Sequence, residues 1–208
     1  MTDPARTRTP AHRAVGSETT TRSRAKADRR AALLSAAARL FADRGFDGVS
    51  MEELGAAAGV SGPAVYRHFD GKQAVLGAVL LDVSEVLHSG GRAAVRDHAD
   101  ADDALRALIA AHTRFALENA DTIRVQDRDL DSLSEADRHE VRRLQREYVE
   151  LWVGVLQRIH RGEDAAALRV RAHATFGLLN STPHSGRGAA TGRILERMAW
   201  AALTSPVE

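Results

Sequence analysis

The sequence predicts an all-α protein, and three observations carry that reading. Alanine is abundant while β-branched residues are sparse, which favours helix over strand. Apolar residues recur at three- and four-residue steps along most of the chain, and no run demands a strand. The 208 residues are 44% hydrophobic and 27% charged, enough apolar material for a core. There is no cysteine, which excludes disulfide frameworks and thiolate zinc sites. No apolar run approaches the ~20 residues of a membrane span. The basic amino terminus has no hydrophobic block behind it, so a cytoplasmic protein without a membrane partner is expected.

The elements follow in order. Residues 1–25, rich in Thr, Arg, Ser and Pro, read as a disordered basic arm. Residues 1–31 hold eight basic and three acidic side chains, a formal +5, so a whole-chain charge of +1 leaves the remainder at −4. A first helix starts near Ala27, with Leu33, Leu34, Ala37, Leu40 and Phe41 on one face, and stops at Gly45 in "DRGFDG". Ser50 opens a second helix, forms a capping box with Glu53, and the helix ends at Gly59. Ser61 caps a third, with Pro63 in its first turn, running to about Phe69. Asp70 caps a fourth, with Gln73 at its third position, running to about His88 before "SGG".

Leu105, Leu108, Ile109, His112, Phe115 and Ala116 then form one apolar stripe. Val141, Leu144, Tyr148, Leu151, Trp152, Val155 and Ile159 form another, the clearest in the chain. Residues 121–131 between them read as a short polar helix. Residues 163–181 and 188–204 are two further helical segments, separated by "NSTPHSGRG".

Two short helices joined by the tight "AGVSG" link, with a longer helix before them, match the helix-turn-helix plan. Ala57 and Ala58 keep the second helix slim, Gly59 reverses the chain and Val60 plugs the angle. Val65 and Phe69 fasten the third helix, leaving Gly62, Pro63, Ala64, Arg67 and His68 turned outward. So short a helix does not persist alone; packing must hold it.

The stretch "LLSAAARLFADRGFDGVSMEELGAAAGVSGPAVYRHFDGKQAVLGAVL", Leu33 to Leu80, resembles the DNA-binding domain of the TetR family of bacterial regulators. The resemblance implies a helix-turn-helix domain over 26–72 and a helical ligand-binding and dimerisation domain over 73–208. It implies a homodimer on a palindromic double-stranded DNA operator. It also implies contact roles. Ser50 and Ser61 lie at helix starts suited to phosphate. Gly62, Pro63 and Ala64 occupy base-facing positions, where they offer only van der Waals contact. Tyr66, His68 and Lys72 resemble backbone-gripping residues, and Arg67 is the candidate base reader, bidentate to guanine. With so few base readers, DNA shape and basic residues such as Arg24 and Lys26 are expected to add specificity.

For the second half, the resemblance is one of architecture. Small residues and a few large apolar ones in the last two helices suggest a four-helix dimer interface using Phe176, Leu179, Ile194, Leu195 and Met198. A pocket for a small apolar or acyl effector is expected around His112, Phe115, Tyr148, Trp152 and Phe176, each of which also fits plain core. No metal, cofactor or catalysis is expected. "DRDLDSL" lacks EF-hand spacing, the glycines of "HSGRGAATG" miss the dinucleotide fingerprint, and no HExxH or nucleophile elbow occurs. The competing reading is a DNA-binding activator or global regulator without a ligand.

Overall fold

The computed structural model describes residues 15–185 and 188–206, and before Ala27 it describes a side chain only at Arg24. The described residues form ten α-helices and a 3-10 turn, with no strand. The helices are α1 (Val15–Arg44), α2 (Met51–Ala57), α3 (Gly62–Val65), α4 (Lys72–Asp97) and α5 (Ala101–Glu118). After them come α6 (Ala120–Asp129), the 3-10 turn Leu130–Ser132, α7 (Glu135–Ile159), α8 (Ala165–Leu179), α9 (Thr182–Ser185) and α10 (Ala189–Thr204).

Several boundaries differ from expectation, each for a physical reason. Helix α1 starts at Val15 rather than near Ala27, so residues 15–25 are helical and not disordered. Residues 17–26 contain neither Pro nor Gly. Extending a helix that packing has already anchored costs no new nucleation. Residues 1–14, the rest of the expected arm, lie outside the described residues. Helix α3 ends at Val65, and turn bonds from His68 and Phe69 N–H to the Val65 carbonyl carry the chain to Phe69. Gly71, not Asp70, holds the N-cap position of α4. The Gln73 side chain, expected in a capping box, instead donates to the Ser132 carbonyl at 3.0 Å.

Helix α4 runs on through "SGG" to Asp97. Gly91 is buried against α7, where a Cβ would lie 2.6 Å from Tyr148 Cε2. Gly77, further up α4, faces the Asp137 carboxylate in the same way. Both glycines therefore serve the close approach of α7, which runs alongside α4 in the same direction. By length and composition α4 is apolar enough to cross a membrane, yet it packs between α1, α5 and α7 as a core helix.

Two main cores follow. The first joins Leu33, Phe41, Leu54, Val65 and Phe69 to Val75, Leu76, Val79 and Leu80 of α4. Val125, Leu133 and Val141 complete it, so packing does not divide at Lys72. The second gathers Leu105, Leu108, Trp152, Leu156, Leu168 and Leu203 from α5, α7, α8 and α10. Leu179 and Leu195, expected at a dimer interface, belong to this interior core instead.

Candidate functional site

The helix pair α2–α3 is built from local rules. Ser50 Oγ accepts from Glu53 N–H at 3.2 Å, and Ser50 N–H donates to the Glu53 carboxylate at 2.8 Å. These bonds, with Arg44 at 2.6 Å, hold the Glu53 carboxyl below the usual carboxylate range. Helix α2 closes in a Schellman motif: Gly59 sits at φ +70, and Val60 N–H donates to the Gly55 carbonyl at 2.9 Å. The slim contact between α2 and α3 is made by Gly55 rather than by Ala57, which is exposed. A Cβ on Gly55 would meet Val60 O at 3.0 Å and Val65 Cγ2 at 3.1 Å.

Val65 and Phe69 are buried as anchors, and the polar face turns outward. Ser50, Ser61, Pro63, Tyr66 and Arg67 are exposed, Tyr66 to 52%. Gly62, Ala64, His68 and Lys72 are half-buried. Ser61 caps α3 by position only, without a side-chain bond, which leaves its hydroxyl free of that duty. The Ser50 hydroxyl accepts within the capping box and keeps its own proton to donate. Lys72 Nζ lies 4.4 Å from the Phe46 ring centroid, which fixes its ammonium beside the start of α4. Arg30, one of the eight basic side chains of residues 1–31, sits over Phe69 at 5.5 Å. Arg24 is exposed on the first half of α1, and the Lys26 side chain lies outside the described residues.

The second site is a cavity of about 230 Å³ between α4, α5, α6, α7 and α8. Ser84, Leu87, His112, Gln126, Tyr148 and Phe176 are among its walls, with Gln145, Val149, His173 and Asn180 toward α7 and α8. His112 stacks on Phe176 at 5.0 Å and on Tyr148 at 5.7 Å. Its Nε2 lies 3.0 Å from Asn180 Oδ1, an acceptor only, so Nε2 carries the proton. Nδ1 then accepts from the Tyr148 hydroxyl at 3.1 Å. Burial lowers the His112 pKa to about 4, so the imidazole is neutral, and burial pushes the Tyr148 phenol upward. Trp152 is fully buried edge-on to His112, as a support behind the cavity rather than one of its walls. Phe115 likewise meets His112 edge-on, outside the cavity lining. Five polar walls are not legible in the sequence: Ser84, Gln126, Gln145, His173 and Asn180. Asn180 opens the "NSTPHSGRG" link in the sequence, and only its distance to His112 exposes its role.

Helices α8 and α10 present an exposed apolar face in which Val170 is 68% exposed, and Ile194 and Met198 are each 49% exposed. Ala166, Ala174, Gly177 and Ala190 are exposed small residues on the same helices. Phe176 is half-buried and turns toward the cavity.

Comparison with known proteins agrees with this arrangement. The family model for bacterial regulatory proteins of the tetR family matches residues 33–79, and a tetracyclin repressor-like C-terminal domain model matches 98–184. The HTH-type transcriptional activator FasR of Mycolicibacterium smegmatis is 41% identical over 88 residues, 42% of this chain and 40% of its own length. The HTH-type transcriptional repressor KstR2 of Rhodococcus jostii is 29% identical over 133 residues, 64% of this chain and 65% of its own. The chain thus spans less than two thirds of either relative. Among solved structures, the regulator PfmR from Thermus thermophilus is 25% identical with a TM-score of 0.73, over 85% of this chain and 96% of that one. AibR, solved with isovaleryl coenzyme A and operator DNA, is 22% identical with a TM-score of 0.71, over 86% and 100%.

Proposed function

The chain belongs to the TetR family of bacterial regulatory proteins, and from that premise we propose that it is a cytoplasmic transcriptional regulator, not an enzyme. It binds a palindromic operator as a homodimer and releases it when a small apolar or acyl effector enters the cavity beside His112. The single observation that carries the DNA half is the exposed Tyr66–Arg67 face of α3, held from behind by buried Val65 and Phe69. Tyr66, His68 and Lys72 hold phosphates, as do Ser50 and Ser61, while Arg67 reads a base. Gly62, Pro63 and Ala64 approach base edges with van der Waals contact alone. Arg24 and Lys26 add charge on the way into the groove.

Dimerisation is supported by the exposed face of Val170, Ile194 and Met198, flanked by small residues that allow close helix approach. A two-fold dimer sets its two α3 helices about one DNA turn apart. Helix α4 connects the two sites. It begins at Lys72 and lines the cavity with Ser84 and Leu87, roughly 18–23 Å along the same rod. A ligand that displaces α4 changes the spacing of the recognition helices and lowers operator affinity.

The acyl character is supported by AibR, which was solved with isovaleryl coenzyme A. The activator reading has its own support in the 41% identity to FasR, which is named an activator. Gel shifts on the DNA flanking its own gene test the proposal. A discrete shift abolished in Arg67→Ala supports a local regulator. Uniform, salt-sensitive binding to any duplex favours a global binder without a ligand.

A further inference from the structure

The cavity beside His112 borders a second space. Gln145 and Val149 of α7 and His173 of α8 also line a second, outer recess of about 400 Å³. These three shared residues, the neck, stand between the inner chamber and the outer recess. The outer recess is lined otherwise by Arg142, Arg146, Glu150 and Arg169, three guanidinium groups against one carboxylate. Arg142 and Arg146 stand one turn apart on α7, and Arg169 faces them from α8.

Their engagements are unequal. Arg169 pairs with Glu150 at 2.8 Å. Arg142 approaches Asp131 only to 3.9 Å. Arg146 has no carboxylate partner among the described residues. The recess therefore keeps an excess of positive charge directly outside the neck.

The inner chamber has the opposite character. None of its lining residues is an acid, a lysine or an arginine. Ser84 spends its proton on the Leu80 carbonyl at 2.7 Å, and His112 is committed to Tyr148 and Asn180. The Gln126 and Gln145 amides have no protein partner among the described residues, so they offer neutral donors and acceptors to a guest. A cavity of 150 Å³ holds a benzene-sized guest, so 230 Å³ takes about nine non-hydrogen atoms. That admits a short or branched acyl group and excludes a long chain.

We propose that chamber, neck and recess form one site for a phosphate-bearing acyl thioester of the coenzyme A class. The acyl group lies beside His112 and Phe176, the linker amides pass Gln145 at the neck, and the phosphates rest on Arg142, Arg146 and Arg169. Planar guanidinium groups suit phosphate oxygens, and the neutral chamber rejects a free carboxylate. This rests on reading the inner chamber as the effector site, and it adds the ligand's anionic half and an upper limit on its acyl length.

Calorimetry on the full chain tests it with acetyl-, isovaleryl-, octanoyl- and palmitoyl-coenzyme A and the phosphate-free acyl-pantetheines of the first three. The expected result is binding of at least one of the three shorter coenzyme A thioesters, more tightly than the palmitoyl one. The double variant Arg142→Gln/Arg146→Gln loses about tenfold or more for that thioester. The matching pantetheine thioester binds wild type and variant alike. Equal affinity of the coenzyme A thioester for wild type and variant overturns the proposal, as does failure of all three shorter thioesters to bind. If arginine-dependent binding leaves DNA affinity unchanged, the effector reading fails while the site stands. If phosphate-free thioesters release DNA from both proteins equally, the effector reading stands and the phosphate site fails.

Discussion

The Arg128 guanidinium on α6 donates to the Phe41 carbonyl in the last turn of α1, and to the neighbouring Ala42 carbonyl at 3.3 Å. The Phe41 carbonyl also accepts from the Gly45 N–H at 2.8 Å, and a cation at a helix C-terminus is favourable. Asp129 holds the guanidinium in place at 3.0 Å and raises its pKa further. The bond ties α6 to α1, the helix that supports the α2–α3 pair. Arg128→Ala is expected to cost about 1 kcal/mol, a Tm decrease of roughly 2–4 °C by calorimetry. Arg128→Lys recovers part of it, because a point charge reaches one carbonyl but not both. An unchanged Tm in Arg128→Ala contradicts the tie.

Gly91 makes α4 and α7 pack closely. A methyl group there meets the Tyr148 ring edge inside van der Waals contact. Gly91→Ala is expected to destabilise by ~1–3 kcal/mol, as overpacking does. Gly90→Ala, with open space at the same turn, is the control and changes stability little or raises it. Urea unfolding separates the two; equal effects show that the approach is not tight.

His112 gives a pH dependence of known sign. Its folded pKa is about 4 against an ordinary 6.5, lowered by burial. Between those values the unfolded chain binds a proton that the folded chain refuses. Stability is therefore complete above about pH 6.5 and falls as the pH drops toward 4, by roughly 2 kcal/mol at pH 5. Urea midpoints at pH 7 and pH 5 measure it. His112→Gln flattens the difference; an unaltered slope assigns it to other groups.

On the DNA face, Tyr66→Phe and Lys72→Ala weaken binding to all sequences, as loss of phosphate contacts does, and Lys72→Ala also reduces its salt dependence. Arg67→Ala costs ~1–3 kcal/mol and relaxes preference at one base position. Fluorescence anisotropy across single-base operator variants distinguishes these patterns. A uniform loss in Arg67→Ala moves Arg67 to the phosphate group.

The sequence reveals features decided within a few residues and hides those decided across space. The Ser50–Glu53 capping box and the Gly59 reversal are local, and both stand where the spacing puts them. The stop at "SGG" failed because Gly91 answers to Tyr148, distant in the chain. Leu195 shares α10 with Ile194 and Met198, and Leu179 ends α8, but both leucines face inward. Helix phase of that kind was not resolved by composition, since small residues surround all four. Of the cavity, the aromatic stripe around His112 was legible. Its polar partner Asn180 was not, because α8 brings it to His112 from the far end of the chain.

The central claim is that the chain reads a two-fold symmetric DNA sequence. Selection from a random duplex library with the purified full chain, followed by sequencing, measures this most directly. The expected result is an enriched palindrome with half-site centres about one helical turn apart, ~10 base pairs, and loss of enrichment in Arg67→Ala. Binding without any enriched symmetric sequence, or enrichment that survives in Arg67→Ala unchanged, contradicts it.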